Sequence, residues 1–211
     1  MLTWQKIISE KENDLWKLFH LNAKISEGQK PLRKTIRDFC LNHHPINLPK
    51  TKDKKINVSL EKAIRERRSS RTTKNLPISL ETLSSLLYNS YSSRKSTPQP
   101  QKTAPSAGAL FPIEIYFHCS TTKKNTSNFT PGLYYYCPMT LTITKYSSNL
   151  RQVIADNIFI QKKLAENSTL QFFLVANFSK ITEKYGDLGY RFCLLEAGHI
   201  AQNFNLVAQA L

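Results

Sequence analysis

The chain has 211 residues, enough for one domain, or one domain with an arm, to bury a sizeable core without staples. Hydrophobic residues make up 40% and charged residues 21%; this is the balance of a folded globular protein, and no apolar run reaches the ~18 residues that a membrane span needs. The formal charge of +15 leaves two readings open, a basic surface or an anionic partner; without a helix-turn-helix spacing, a Cys/His finger or an RNP-like strand, nucleic acid is not expected, whereas phosphate on a small ligand needs only a few cations.

The opening MLTWQKIISEKENDLW lacks the apolar stretch of a secretory signal, so a cytoplasmic location is expected. Residues 1–57 read as an arm ahead of a main domain at 58–211. The arm holds a short helix around Leu15–Leu21, then a solvated linker through His43-His44-Pro45 and the Lys-rich segment after Pro49. Adjacent histidines project differently from any regular element, so no metal is expected there. Cys40, Cys119, Cys137 and Cys193 are scattered with no CxxC pair, which indicates neither a zinc site nor a disulfide framework.

Ser59 is placed to cap a helix over Leu60–Arg68, which runs into Arg65, Arg67, Arg68, Ser69, Ser70 and Arg71. Guanidiniums and hydroxyls gathered at a helix end suit an anion, since the planar fork donates two hydrogen bonds at once; a basic surface patch fits the same run equally well. Ser79 caps a second helix that carries Leu80, Leu83, Leu86 and Leu87 on one side and ends in Tyr88–Tyr91. The polar stretch Ser92–Lys102 predicts an exposed loop. Pro105-Ser106-Ala107-Gly108-Ala109-Leu110-Phe111-Pro112 follows, either an ordinary tight turn or one whose small residues let backbone approach a flat ligand.

Ile113–Cys119 alternates like a strand, and Gly132–Cys137 with Thr140–Tyr146 predicts a hairpin through Pro138-Met139. Asn149–Asn167 reads as an amphipathic helix, and the apolar run Leu170–Ala176 predicts a buried central strand. Tyr185–Leu211 predicts one long helix, with Tyr190, Leu194, Ala197, Ala201, Phe204, Ala208 and Leu211 along a buried stripe. Glu196, His199, Gln202 and Asn203 flank that stripe; a lone histidine on a helix flank is expected to be a hydrogen-bonded structural residue. Helices, strand, hairpin, helix, strand and long helix in that order make an α+β layout, and no GxGxxG or Walker loop suggests a nucleotide fold.

Four of these pieces resemble one family. Arg67-Arg68-Ser69-Ser70-Arg71 resembles the RRSxR opening of the FMN-dependent nitroreductase superfamily. PSAGALFPIEIY at Pro105–Tyr116 is similar to the PSAGALxPxExY segment of its SagB/ThcOx-type branch, the dehydrogenases that oxidise azolines to azoles on ribosomally made peptides. Tyr190–Leu211 resembles that branch's YRxxxLEAGHxAQNxxLxAxAL helix, and Phe19–Lys24 its YHxxTK arm.

The resemblance implies a nitroreductase-like α+β fold, an antiparallel or mixed central sheet flanked by helices, in a homodimer with FMN at the subunit interface. Arg67, Arg68, Ser69 and Arg71 would hold the flavin phosphate and the polar edge of the ring, while Pro105, Ser106, Ala107, Gly108 and Ala109 would lie along the ribityl chain and ring. Lys184 and Tyr185 match a Lys-Tyr pair proposed to act in catalysis, with the lysine as base once burial or neighbouring cations lower its pKa. A modified peptide would be the substrate, and a cyclodehydratase complex a partner. Members of the family continue past the equivalent of Leu211 with a flavin-facing loop, more strands and basic residues, so the C-terminal part of the family fold is expected to be missing. Two other functions remain open at this point: a general NAD(P)H-dependent nitro or quinone reductase, and an inactive paralogue serving as a binding or scaffold subunit.

Overall fold

The structure is a computed structural model and describes residues 44–49, 56–70, 72–94, 101–122, 129–147 and 161–211. A five-stranded sheet, antiparallel throughout, runs in the order β1-β6-β5-β4-β7, where β1 is Ile46–Asn47, β4 Ile113–Cys119, β5 Gly132–Cys137, β6 Thr142–Ser147 and β7 Leu170–Ala176. A small ribbon pairs β2 (Ser93–Arg94) with β3 (Gln101–Lys102). The helices are α1 (Leu60–Glu66), α2 (Leu80–Ser90), α3 (Lys162–Glu166), α4 (Ser179–Tyr185) and α5 (Leu188–Ala210).

Strand alternation divides the sheet's faces, because successive side chains point opposite ways. On one face Ile115, Phe117, Tyr134, Tyr136 and Ile143 join Leu83 and Leu87 of α2 and Ile200 and Phe204 of α5 in the core. Phe117 stacks on Tyr134 with ring centroids 5.4 Å apart, and Phe172 meets Phe204 at 4.5 Å, which fastens α5 to the sheet. On the other face Tyr116 packs against Tyr135 and Tyr146.

Both expected serine caps form: Ser59 Oγ accepts from the Lys62 N–H and Ser79 Oγ from the Thr82 N–H, each at 3.2 Å. The hairpin and the Ile113–Cys119 strand fall where alternation predicts them, with Leu141 taking the positive φ of 55° that closes the turn.

Several expectations are corrected. α1 stops at Glu66, so Arg67 and Arg68 leave the helix. Leu170–Ala176 is an edge strand among the described residues, paired only with β4, and Val175 on it is exposed. Its apolar run reflects aromatic packing at one side of the sheet rather than burial between two strands. The single helix expected from Tyr185 is two: Gly186, at φ 53° and ψ −141°, breaks the backbone between α4 and α5, so Lys184-Tyr185 ends one helix instead of opening the next.

The buried line of α5 is Gly189, Cys193, Glu196, Ile200 and Phe204, whereas Tyr190, Leu194 and Leu211 of the expected stripe are exposed. Two stripes of similar apolarity run along this helix, and the sheet takes the one containing the glutamate. Ile46–Asn47 pairs with β6, Leu48 is buried, and the Ser84 hydroxyl donates to the Pro49 carbonyl, so this part of the expected linker joins the sheet. The Phe19–Lys24 segment, His43, Arg71 and most of the helix expected at Asn149–Asn167 lie outside the described residues.

Phe117 is fully buried and touches rings from β5 and β7. Truncating it removes apolar contacts and leaves a cavity, so Phe117→Ala should cost about 3–5 kcal/mol, measured as the shift in a chemical denaturation midpoint at constant slope.

Candidate functional site

The site is organised by the turn between β3 and β4. Pro112 ends it, and its middle is a 3-10 turn over Ala107–Ala109 in which Gly108, Ala109 and nearby Phe111 have φ of 59°, 54° and 49°. Left-handed backbone at non-glycine residues is disfavoured and persists only where surrounding contacts fix it. Here the Phe111 N–H donates to Ser106 Oγ at 2.9 Å, and the Ala109 and Leu110 N–H groups donate to the Ser106 and Ala107 carbonyls. The N–H groups of Ala107 and Gly108 stay free of the turn's own bonds, as at any helix start. Pro105, Gly108 and Ala109 face solvent, and Ser106 and Ala107 are half-buried.

Gly108 lies directly against the end of α4. A Cβ there would stand 2.6 Å from Tyr185 Oη and 2.9 Å from Lys184 Nζ, a space only glycine leaves open. The structure thus brings together the turn and the Lys184-Tyr185 pair, 76 residues apart in sequence for Gly108 and Lys184. Ile181 is fully buried and anchors α4, while Tyr185 packs edge-on against Phe192 of α5 with centroids 5.0 Å apart. Lys184 itself is exposed, its Nζ 5.2 Å from the Tyr185 ring centroid.

Arg67 is half-buried and Arg68 and Ser69 are exposed just beyond α1. Among the described residues neither arginine has a carboxylate partner, so both guanidiniums are available to an anion, and no hydrogen bond or ion pair among those residues joins this segment to the turn. His199 is exposed, with Nδ1 2.8 Å from the Leu195 carbonyl, and no cluster of metal-ligating side chains occurs among the described residues. Asn203 donates to the Ser90 carbonyl at 3.1 Å; Thr103, leading into the turn, donates to the same carbonyl at 2.8 Å.

Behind the turn lies a polar group that sequence reasoning missed. Lys102 Nζ donates to the Tyr91 hydroxyl at 2.9 Å, and that hydroxyl stands 3.4 Å from both Glu196 Oε1 and the Ile113 carbonyl. Burial pushes the Glu196 carboxyl above the usual carboxylate range, although the nearby Ser106 hydroxyl and Lys102 charge favour its ionised form. Its Oε2 is buried with no hydrogen-bond partner among the described residues. Burial also pulls Lys102 down to about 8, partly offset by Glu196, and pushes Tyr91 up. Glu196 among the polar residues beside the apolar stripe was the available signal; the loop-like composition around Lys102 hid its partner.

Comparison with known proteins follows the same outline. A nitroreductase-family protein of Methanocaldococcus jannaschii is 29% identical over 157 residues, covering 73% of this chain and 75% of that one. The microcin B17-processing protein McbC of Escherichia coli is 30% identical over 141 residues, 64% of this chain and 49% of McbC, so the chain spans about half of that relative's length. A crystal structure assigned to the nitroreductases, from Anabaena variabilis, superposes with a TM-score of 0.70 at 22% identity, covering 92% of this chain and 39% of that one. The E. coli microcin synthetase McbBCD complex with truncated pro-MccB17 bound matches with a TM-score of 0.52 at 20% identity, over 99% of this chain and 83% of that one. The family model for nitroreductases matches residues 64–211, which takes in the turn, the Lys184-Tyr185 pair and the whole of α5: the chain belongs to the nitroreductase family.

Proposed function

We propose that the chain is an FMN-dependent oxidoreductase of the SagB/ThcOx type that oxidises azoline rings to azoles on a ribosomally made peptide. The observation that carries this reading is the apposition of the Gly108 turn and the Lys184-Tyr185 pair; the 30% identity to the microcin-processing protein McbC supports it. FMN fits the residues present. Arg67 and Arg68, without partners among the described residues, with Ser69 and Arg71, would take the phosphate. Pro105, Ser106, Ala107, Gly108 and Ala109 would border the ring, where a Cβ-free backbone, with the Ala107 and Gly108 N–H groups outside the turn's own bonds, allows close approach.

Aromatising an azoline removes a proton from one ring carbon and a hydride from its neighbour. Bound FMN supplies the hydride acceptor. The protein's share is the proton: Lys184 Nζ would take it, and Tyr185 Oη beside Gly108 would orient the ring for that transfer. Exposed Tyr190, Leu194 and Leu195 on α5, with Phe178 stacked on Tyr190, would suit a homodimer contact. A complex with a cyclodehydratase and a cytoplasmic location belong to the same reading; no helix among the described residues is long and apolar enough to cross a membrane.

A general NAD(P)H-dependent nitro or quinone reductase is the second reading, favoured by the match to the M. jannaschii protein. The two part on substrate: the first turns over azoline peptide with oxygen and the second consumes NAD(P)H with a nitroaromatic. A purified chain that stays colourless and cannot be reconstituted with FMN contradicts both and leaves a scaffold subunit.

Lys184→Ala should retain FMN yet lose azoline oxidation by about 100-fold or more; unchanged turnover removes Lys184 from the mechanism. In Gly108→Ala the new methyl meets Tyr185 Oη and Lys184 Nζ. Displacing groups that must sit within hydrogen-bond reach should lower turnover about tenfold or more, read as kcat at saturating FMN, while the denaturation midpoint moves by only about 1–2 kcal/mol for the left-handed alanine.

A further inference from the structure

Lys102, Tyr91 and Glu196 come from β3, the end of α2 and the middle of α5, and they meet behind both ends of the Ser106–Phe111 turn. Glu196, 2% exposed, lies beside the Ser106 hydroxyl. Lys102 Nζ sits 4.7 Å from the centroid of Phe111 and 4.4 Å from that of Tyr91. We propose that these three are positioning residues: the lysine's charge, passed to Glu196 through the Tyr91 hydroxyl, holds the turn in the shape that grips the flavin, so cofactor affinity falls when Lys102 loses its proton. This rests on the reading that FMN lies along the turn.

Only the ammonium is attracted to the faces of the Tyr91 and Phe111 rings, because a neutral amine lacks the cation that the ring quadrupole attracts. The ammonium is the nearby charge that balances Glu196, whose Oε2 is buried with no hydrogen-bond partner among the described residues and whose charge would be costly without a counter-ion. The Tyr91 hydroxyl bridges them by accepting from Lys102 and donating toward Glu196. Removing the proton therefore releases the Phe111 end of the turn and strands the carboxylate at the Ser106 end.

The other charged or titratable groups facing Lys102 are Lys180 of α4, Glu114 of β4 and Cys137 of β5. Glu114 is already engaged, 3.8 Å from Lys180 Nζ and 3.3 Å from the Asn177 amide, so it cannot replace Glu196 as counter-ion. With Lys102 pulled down to about 8, the ammonium and its hold on the turn are intact below that pH and are lost as pH rises through it.

The full chain is compared with Lys102→Met and Tyr91→Phe in two measurements across that pH range. In the flavin-free protein, the carbon-13 methyl resonances of Ala107 and Ala109 report the turn directly. Quenching of FMN fluorescence gives the cofactor's dissociation constant. The methyls should titrate with a midpoint near 8, the dissociation constant should rise about fivefold or more over the same range, and both responses should vanish in Lys102→Met. Tyr91→Phe, which keeps the charge but cuts the bridge, should move the midpoint, and it decides the matter if Lys102→Met does not fold. Methyls that ignore pH, or that titrate alike in all three proteins, overturn the proposal even if FMN binds. Lys102-dependent methyls with an unchanging FMN affinity overturn its link to the cofactor. Lys102-dependent methyls in a chain that never binds FMN overturn the flavin reading on which it rests.

Discussion

Everything at the candidate site depends on how closely the Gly108 backbone approaches the Lys184 and Tyr185 side chains. A single added carbon would collide with both. That approach is held from two directions. On one side α4 is stopped at Tyr185 by the Gly186 break and seated by buried Ile181, with Gly189 at the start of α5 packed tightly on Ile181 and Thr182. On the other, the turn is kept in a disfavoured backbone shape by Ser106, Phe111 and the polar group behind them. A strained segment that is over-determined in this way is pre-organised, which is what a ligand-gripping turn requires.

The polar group behind the turn is costly to bury. A buried carboxylate and a half-buried ammonium each lose hydration, and burial moves each toward its neutral form. An apolar trio of similar volume would pack there with no such cost. Retaining Lys102, Tyr91 and Glu196 makes physical sense if their charge does something that packing cannot, and their contacts with the first and last residues of the turn supply that role.

Local chemistry made much of the fold legible. Ser59 and Ser79 stand where a helix needs its first N–H groups satisfied, and period-two alternation sets Ile113–Cys119 and the hairpin after it. The errors arose where tertiary packing chose between equals. Two apolar stripes run along α5, and periodicity alone cannot say that the sheet takes Cys193, Ile200 and Phe204 while Leu194 and Leu195 stay exposed. The apolar run in β7 comes from rings that pack at the sheet's edge, as Phe172 does on Phe117 and Phe204. Gly108 and the Lys184-Tyr185 pair were each readable as motifs, but only the folded chain shows them in contact. Lys102 was hidden for the opposite reason: a lysine in a polar stretch reads as solvated unless a buried glutamate elsewhere is known to face it.

The measurement that tests the central claim most directly is anaerobic mixing of the FMN-loaded chain with an azoline-containing peptide while the oxidised flavin band is followed. The account predicts that the band bleaches in step with azole formation, without NAD(P)H, and returns when oxygen is admitted. A band that stays unchanged with the peptide but bleaches on adding NAD(P)H would contradict it.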